Sequence, residues 1–222
     1  VNATPENTFG LLLSLLGNYK YFFSKSDFDI KTDRLVLPSY EIKNKKVGII
    51  GFGRVGKLLS EYLTSFGAKI SFYDIKTFSS NELKEYTYCK AESKIDELIN
   101  KNEIIFLTAS HKKNVTIINK DLLYKMKDKY FINTSRGENV DEVHLISLIE
   151  ENYFKGVAID VIQNEQSSKN NLNKIIELNS SNNNFIYTPH ISGATIQSIN
   201  RTESIVTKLL LNKIPVQKFN CD

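Results

Sequence analysis

Three polar residues in the second half of the sequence could act together on a small carboxylic acid. Arg136, Glu165 and His190 each follow an apolar run that predicts a β-strand, so we expect them at one edge of a sheet. Histidine gains and loses a proton near neutral pH, and arginine binds a carboxylate through two parallel hydrogen bonds. We therefore predict that Arg136 binds a substrate carboxylate, that His190 is the acid/base of a hydride transfer, and that Glu165 favours its imidazolium and fixes its tautomer. A surface salt bridge for Arg136 and a buried structural role for His190 are the alternatives.

The other two histidines are weaker candidates. His144 lies inside an apolar pattern typical of a helix, which indicates a surface or packing role. His111 lies in a loop after a predicted strand, where it could contact a ligand or be solvated. His190 alone among the three follows a Thr-Pro pair and precedes a turn of small residues. It is therefore the predicted acid/base.

A glycine-rich turn of the form G-x-G-x-x-G spans residues 51–56. It follows an apolar run that predicts a strand and precedes a pattern that predicts a helix. In a dinucleotide-binding turn the first glycine permits a tight bend, the second lets the backbone approach a pyrophosphate, and the third lets the helix pack close to the strand. A structural tight turn or the nucleotide loop of a methyltransferase is the alternative. The residues of this turn predicted to bind the cofactor are Gly51, Gly53, Arg54, Val55 and Gly56.

An acidic residue ends the next predicted strand, at the distance where a dinucleotide-binding fold places the partner of the ribose hydroxyls. This residue is Asp74. Its carboxylate would repel the 2′-phosphate of NADP, and although Lys76 lies nearby, no arginine follows in the loop to neutralise that phosphate. The predicted cofactor is therefore NAD.

The remaining predicted cofactor contacts share one feature. Each lies at or just after the carboxyl end of a predicted strand, where open α/β sheets bind their ligands. They are Thr108, Thr134, Ser135, Arg136, Asp160, His190 and Gly193.

Strand and helix patterns alternate from residue 46 onward, which is typical of a parallel sheet with helices on both faces. We therefore predict an α/β fold with a doubly wound parallel sheet, that is, a Rossmann-type NAD-binding domain. The spacing of the patterns permits right-handed crossovers. The predicted strands lie near residues 46–51, 69–73, 104–107, 130–133, 156–159 and 185–187, and the predicted helices near residues 54–66, 94–100, 119–126, 141–151 and 196–211.

The residues before the sheet predict one helix and an irregular connection. The helix covers residues 5–16, with Thr4 as its N-cap and Pro5 as its first residue. Its apolar residues lie on nearly every side, which indicates burial inside the domain or against a second subunit. Residues 17–45 predict an irregular connection. The predicted division of the chain is 1–45 for this helix and connection, 46–195 for the dinucleotide-binding core, and 196–222 for a C-terminal helix and tail.

Composition argues against several other classes of protein. The 222 residues carry a net charge of +4 from scattered lysines, without the dense basic block of a nucleic-acid binder. No apolar stretch reaches the length of a membrane helix, and no signal-peptide pattern is present, so we expect no membrane association. Cys89 and Cys221 lack the spacing of a disulfide framework or a zinc site, which favours a reducing, cytoplasmic setting without a metal. Met126 is the only methionine, so we expect the chain to be part of a longer protein.

Four ordered motifs give the chain a resemblance to a known enzyme family. They are the segments 47–56, 132–137, 158–161 and 188–193, whose order and spacing resemble those of the D-isomer-specific 2-hydroxyacid dehydrogenases. The resemblance covers nearly the whole chain. It implies an NAD-dependent enzyme that reduces 2-keto acids or oxidises D-2-hydroxy acids, and a homodimer formed through the cofactor domain.

The resemblance also implies roles for the three polar residues. In that family the arginine of the N-T-x-R-G motif binds the substrate's carboxylate and carbonyl, the glutamate after the D-V motif supports the histidine, and the histidine of the T-P-H motif is the acid/base. By the same motifs, these roles fall to Arg136, Glu165 and His190.

This sequence departs from the family pattern in three places. Gln166 stands where the family usually has proline, and the loop at residues 108–114 is slightly shorter than usual and lacks its usual proline, so we expect both loops to differ locally. Family members also carry a substrate-binding domain before the helix at residues 5–16, and this chain lacks it. Two further hypotheses stay open: a non-catalytic NAD(H)-binding regulator similar to the transcriptional corepressors that resemble this family, and an isolated cofactor domain without activity.

Overall fold

Parallel strands and the helices that connect them make up most of the chain after residue 45. The structure is a computed structural model that describes residues 2–27 and 29–212. The strands are β1 (Lys46–Ile50), β2 (Lys69–Tyr73), β3 (Cys89–Ala91), β4 (Ile104–Leu107), β5 (Tyr130–Asn133), β6 (Gly156–Ile159) and β7 (Phe185–Tyr187). The helices are α1 (Ala3–Leu16), α2 (Tyr19–Ser24), α3 (Ile30–Val36), α4 (Arg54–Ser65), α5 (Ile95–Lys101), α6 (Lys120–Tyr124), α7 (Glu142–Glu150), α8 (Leu172–Ser181) and α9 (Ile196–Asn212), with single 3₁₀ turns at Lys84–Tyr86 and Gly137–Asn139.

The sheet has the order β3-β2-β1-β4-β5-β6-β7, and every strand pair in it is parallel. The chain runs outward from β1 to β2 and β3 and then returns to β4 on the other side of β1. The order of the strands therefore reverses between β1 and β4, and their carboxyl ends border the crevice where doubly wound sheets bind ligands. The predicted fold class is confirmed.

The apolar runs form strands because helices cover both faces of the sheet. Successive side chains of β1 point to opposite faces: Ile49 packs in a buried cluster with α1 and α4, and Ile50 packs in a second cluster with α5 and α7. Both are fully buried. Each contributes about 1.5–3 kcal/mol relative to an exposed side chain, so the sheet is held rigidly and can position the loops at its carboxyl edge.

Helix α1 begins earlier than predicted and packs inside the domain. It starts at Ala3, so Thr4 lies within its first turn and Asn2 is the residue before it. Proline is tolerated at Pro5 because the first backbone N–H groups of a helix have no acceptor within it. The buried leucines of α1 pack against α4, β5 and β6, which explains the apolar character of the helix without a second subunit.

The sequence analysis did not predict three of the helices and one of the strands. The segment predicted as an irregular connection contains α2 and α3, which are only six and seven residues long. Strand β3 has three residues and lies at the sheet edge, where one neighbour suffices and no apolar run is needed. Helix α8 lies in a stretch rich in asparagine and serine, and only Ile175 and Leu178 are buried in it. The predicted tail at residues 213–222, with Cys221, lies outside the described residues.

Candidate active site and cofactor cleft

The glycine turn joins β1 to α4, and its three glycines differ in how much space surrounds them. Gly51 has a φ of +96°, and a Cβ on it would lie 2.5 Å from the backbone nitrogen of Ala109. A Cβ on Gly56 would lie 2.3 Å from the carbonyl oxygen of Gly51. Gly53 is the N-cap of α4, and a Cβ there would meet no protein atom within 4 Å. The space beside Gly53 therefore permits the close backbone approach that a pyrophosphate needs at a helix N-terminus.

Hydrogen bonds fix the polar residues on either side of this turn. Asp74 directly follows β2, and its carboxylate accepts hydrogen bonds from the backbone N–H of Phe52 at 2.6 Å and of Lys76 at 2.8 Å. Thr108 directly follows β4, and its hydroxyl donates to the carbonyl of Gly51 at 2.7 Å. The strand ends and the glycine turn thus hold one another in place.

A cavity of about 480 Å³ opens along the carboxyl ends of β1, β2 and β4. Its polar lining includes Asp74 and Thr108, together with the backbone of Gly51 and Gly53. Its apolar lining includes Ile75, Ile95, Val115 and Ile117. This donor set fits a dinucleotide, because backbone N–H groups suit phosphates, a carboxylate suits ribose hydroxyls, and aliphatic side chains suit a flat aromatic base.

A second cavity, of about 540 Å³, brings Arg136, Glu165 and His190 together. The Nδ1 of His190 lies 2.6 Å from Oε2 of Glu165, and the side chains of the two residues are 42% and 34% exposed. Because the carboxylate accepts a hydrogen bond from Nδ1–H, Nε2 is the ring nitrogen that can exchange a proton with a ligand. Arg136 is exposed, and its Nη1 donates to the carbonyl of Ser135 at 2.7 Å.

A buried carboxylate shapes the turn that carries His190. His190 has a φ of +53°, in the left-handed region that non-glycine residues seldom adopt. The carboxylate of Asp160 accepts hydrogen bonds from the N–H groups of Ile191 at 3.0 Å and Ser192 at 2.9 Å, and from the hydroxyl of Thr188. The carbonyl of Asp160 accepts a further bond from the His190 N–H at 2.8 Å. These bonds hold the histidine in its unusual conformation.

A network of amides and hydroxyls holds the turn that carries Arg136. Asn133 Oδ1 accepts hydrogen bonds from the N–H and the hydroxyl of Ser135, at 3.0 and 2.7 Å. Asn133 Nδ2 donates to the carbonyl of Arg136 at 3.2 Å, and Asn139 Nδ2 donates to the Ser135 hydroxyl at 3.0 Å. The Ser135 side chain, predicted to contact the cofactor, therefore lies in a network within the protein.

The loop that carries Glu165 is fastened at both ends by one buried carboxylate. Glu142, at the start of α7, accepts hydrogen bonds from the Gln163 N–H at 2.6 Å and from Asn171 Nδ2 at 2.7 Å. Burial raises the pKa of the Glu142 carboxyl, and these two bonds oppose that effect. Sequence reasoning missed Glu142, because its partners lie more than 20 residues away in the chain.

Several predicted cofactor residues lie elsewhere at the same edge. The Thr134 hydroxyl is buried and lies 2.7 Å from the hydroxyl of Thr8 in α1. Gly193 is exposed, just after the His190 turn. Arg54 and Val55 form the first turn of α4, where Arg54 is exposed and Val55 is half-buried. These four residues do not line either of the two cavities described above.

The other histidines have separate partners. His144 Nδ1 lies 2.9 Å from Oδ2 of Asp141, the N-cap of α7, as befits a packing or surface role. His111 Nδ1 lies 3.0 Å from Oδ1 of Asn139.

Residues 2–27 and 29–212 contain neither a membrane-spanning helix nor a metal-binding cluster. Within these ranges no helix is long and apolar enough to cross a membrane. No group of three or more histidine, cysteine, aspartate or glutamate side chains there could hold a metal ion.

Comparison with known proteins relates the chain to one family. The sequence model of the D-isomer specific 2-hydroxyacid dehydrogenase NAD-binding domain matches residues 9–192. A glyoxylate reductase of Thermofilum pendens is 30% identical over 95% of this chain and 61% of its own length. An aromatic 2-oxoacid reductase of Clostridium sporogenes is 32% identical over 92% of this chain and 63% of its own length.

A solved structure agrees with these relatives. The D-lactate dehydrogenase of Aquifex aeolicus, crystallised with NAD and lactic acid, superposes with a TM-score of 0.80 at 29% identity, over 95% of this chain and 66% of that one. The chain thus spans about three-fifths of the length of the two reductases. On the strength of the matched domain, the chain belongs to the D-isomer specific 2-hydroxyacid dehydrogenase family and contains that family's NAD-binding domain.

Proposed function

We propose that the protein containing this chain is an NAD-dependent oxidoreductase that interconverts 2-keto acids and D-2-hydroxy acids. The observation that carries the proposal is the 2.6 Å contact between His190 Nδ1 and Glu165 in a cavity that Arg136 also lines. A histidine held this way by a carboxylate, beside an arginine, suits proton transfer on a substrate that bears a carboxylate.

In this proposal the cofactor lies along the glycine turn. The backbone of residues 51–56 binds the pyrophosphate, and Asp74 accepts hydrogen bonds from the ribose hydroxyls and disfavours a 2′-phosphate. The cavity beside the turn and the open space at Gly53 support this arrangement. The full proposed set is Gly51, Gly53, Arg54, Val55, Gly56, Asp74, Thr108, Thr134, Ser135, Arg136, Asp160, His190 and Gly193, of which Thr134, Ser135 and Asp160 would act through their backbone or by shaping the edge.

The proposed chemistry is a hydride transfer coupled to a proton transfer. The glycine turn and Asp74 would hold NADH, which would supply the hydride needed at the carbonyl carbon of the 2-keto acid. His190 donates the Nε2 proton to the carbonyl oxygen, and in the reverse direction the neutral imidazole removes a proton from the hydroxyl. The Glu165 carboxylate accepts a hydrogen bond from the Nδ1–H group, which stays on the ring, and stabilises the imidazolium. The Arg136 guanidinium binds the substrate carboxylate and orients the carbonyl.

This arrangement favours an enzyme over a non-catalytic regulator. A regulator needs the cofactor cleft alone, whereas this chain also holds Arg136, Glu165 and His190 in a shared cavity. Because the chain spans about three-fifths of the length of the reductases it matches, we propose this activity for the complete gene product and only the cofactor domain for this chain.

We propose three further properties, which concern the domain division, the oligomeric state and the cellular setting. Residues 46–195 form the cofactor-domain core, flanked by residues 1–45 and 196–222. The family resemblance supports a homodimer, although the leucines of α1 are buried within the chain and do not argue for one. The spacing of Cys89 and Cys221, which lacks the pattern of a disulfide framework, supports a reducing, cytoplasmic setting.

The test has two stages. Calorimetric titration of NADH into this chain should show binding, and absence of binding would refute the cofactor proposal. The complete gene product should then oxidise NADH in the presence of at least one member of a panel of 2-keto acids. Tight NADH binding without turnover on any 2-keto acid would favour the regulator instead.

A further inference from the structure

Asn139 lies between the two cavities and is fully buried. It ends the 3₁₀ turn Gly137–Asn139 that follows Arg136, and its partners lie on both sides. We call residues 108–117 the cofactor loop, because six of its residues line the cavity beside the glycine turn.

The side chain of Asn139 satisfies all its hydrogen-bonding groups in one consistent way. Nδ2 donates to the carbonyl of Ala109 and to the hydroxyl of Ser135, both at 3.0 Å. The Ser135 hydroxyl already donates to Asn133, so it must accept from Asn139. Oδ1 lies 3.0 Å from Nδ1 of His111, which therefore carries the proton of that bond.

The backbone of Asn139 holds the far end of the same loop. Its carbonyl accepts hydrogen bonds from the N–H groups of Ile117 at 2.9 Å and Ile118 at 2.8 Å. One residue therefore holds the cofactor loop at its start, at His111 within it, and at its end.

The position of Ala109 matters to the cofactor cleft. Its backbone lies so close to Gly51 that a Cβ on Gly51 would be 2.5 Å from both its N and Cα atoms. Asn139 donates a hydrogen bond to the carbonyl of Ala109, so the same strand-end backbone contacts both this amide and the glycine turn. A loop free to shift at this point would alter the wall and the entrance of the cleft.

We propose that Asn139 is a positioning residue for NAD(H) binding, which fixes the cofactor loop and ties it to the turn that carries Arg136. The proposal rests on the proposed function, because it assumes that the cleft binds the dinucleotide. Asn139 acts through Ala109 and His111 and does not itself line the cavity.

The test compares Asn139→Ala with Asn102→Ala by calorimetric titration of NADH and by thermal unfolding. Asn102 is a matched control, because it is also buried and its Nδ2 also donates two hydrogen bonds, to Ser71 Oγ and the Leu98 carbonyl, both at 2.7 Å. Both variants should unfold at lower temperature. Only Asn139→Ala should weaken NADH binding, by about tenfold, the effect of losing the buried hydrogen bonds that order the loop.

A third variant covers the case in which Asn139→Ala does not fold. His111→Ala removes one bond of the same set from an exposed side chain and should weaken NADH binding by about two- to threefold without loss of folding. Wild-type affinity in folded Asn139→Ala, or in His111→Ala if the former does not fold, would overturn the positioning role alone. Equal weakening of NADH binding in Asn102→Ala would attribute the effect to general loss of stability and would also overturn the positioning role of Asn139. A wild-type chain that does not bind NADH would overturn both the positioning role and the proposed function.

Discussion

Replacing Gly53 with alanine should leave the fold intact and weaken NAD(H) binding. A Cβ at this position meets no protein atom within 4 Å, and the φ of −81° and ψ of −156° suit any residue. Alanine restricts the unfolded chain, which stabilises the fold by about 0.4–1 kcal/mol. Alanine is also a poorer N-cap than glycine, which offsets a similar amount. The free energy of unfolding should therefore change by less than about 1 kcal/mol, a shift of roughly 2–4 °C at most.

The effect on the cofactor should be much larger. The added methyl group fills the space through which the pyrophosphate must approach the backbone and the N-terminus of α4. A hydrogen bond to a charged group contributes about 1.5–3 kcal/mol, so loss of one such bond should raise the dissociation constant for NADH by about 10- to 100-fold. Calorimetric titration measures this constant directly, and circular dichroism during heating measures the stability.

Two other glycines make the experiment decisive. A Cβ on Gly10 in α1 would also meet no protein atom within 4 Å, so Gly10→Ala should gain stability by up to about 1 kcal/mol and bind NADH as the wild type does. Gly56→Ala should instead lose stability, because its Cβ would lie 2.3 Å from the Gly51 carbonyl oxygen. Wild-type NADH affinity in Gly53→Ala would refute the assignment of this turn to the pyrophosphate.

Three further predictions concern the cofactor, the substrate and a thiol. Asp74→Ala should lower the preference for NADH over NADPH by about tenfold or more in dissociation constants, because it removes the repulsion of the 2′-phosphate; an unchanged ratio would argue against its place at the ribose. Arg136→Lys in the complete gene product should raise KM for the 2-keto acid by about tenfold, because an ammonium group cannot make two parallel hydrogen bonds, and it should change NADH affinity far less, because lysine keeps the positive charge. Burial raises the pKa of the Cys89 thiol to about 11, so its reactive thiolate is scarce at pH 8 and increases only as the pH approaches that value. In a Cys221→Ser chain, iodoacetamide should therefore alkylate Cys89 about tenfold more slowly in the native state than in urea, and equal rates would contradict the burial.

The strands and the glycine turn could be predicted because their signals are local. An apolar run predicts a buried parallel strand, and the glycines of residues 51–56 have meaning only between such a strand and a helix. Because the predicted strands are parallel and these residues follow their carboxyl ends, the prediction places Asp74, Arg136 and His190 at one edge of the sheet. These positions follow from the topology of any doubly wound sheet.

The residues that hold this edge in place could not be predicted in the same way. Glu142 holds both ends of the loop that carries Glu165, and Asn139 holds the cofactor loop. Apart from Ser135, which lies four residues before Asn139, the hydrogen-bond partners of these two side chains lie between about 20 and 30 residues away in the chain, so no periodicity or short motif marks them. Likewise, α8 is polar in sequence and becomes a helix because Ile175 and Leu178 pack into the core.

The most direct test of the proposed function is the effect of His190→Gln on the complete gene product. Glutamine keeps a polar side chain but cannot exchange a proton, so kcat for 2-keto acid reduction should fall by about 10²- to 10⁴-fold. The dissociation constant for NADH should change far less than kcat, since the glycine turn and Asp74 are unchanged and His190 is only one of the proposed cofactor contacts. A variant that binds NADH and turns over as fast as the wild type would contradict the role of His190 as the acid/base.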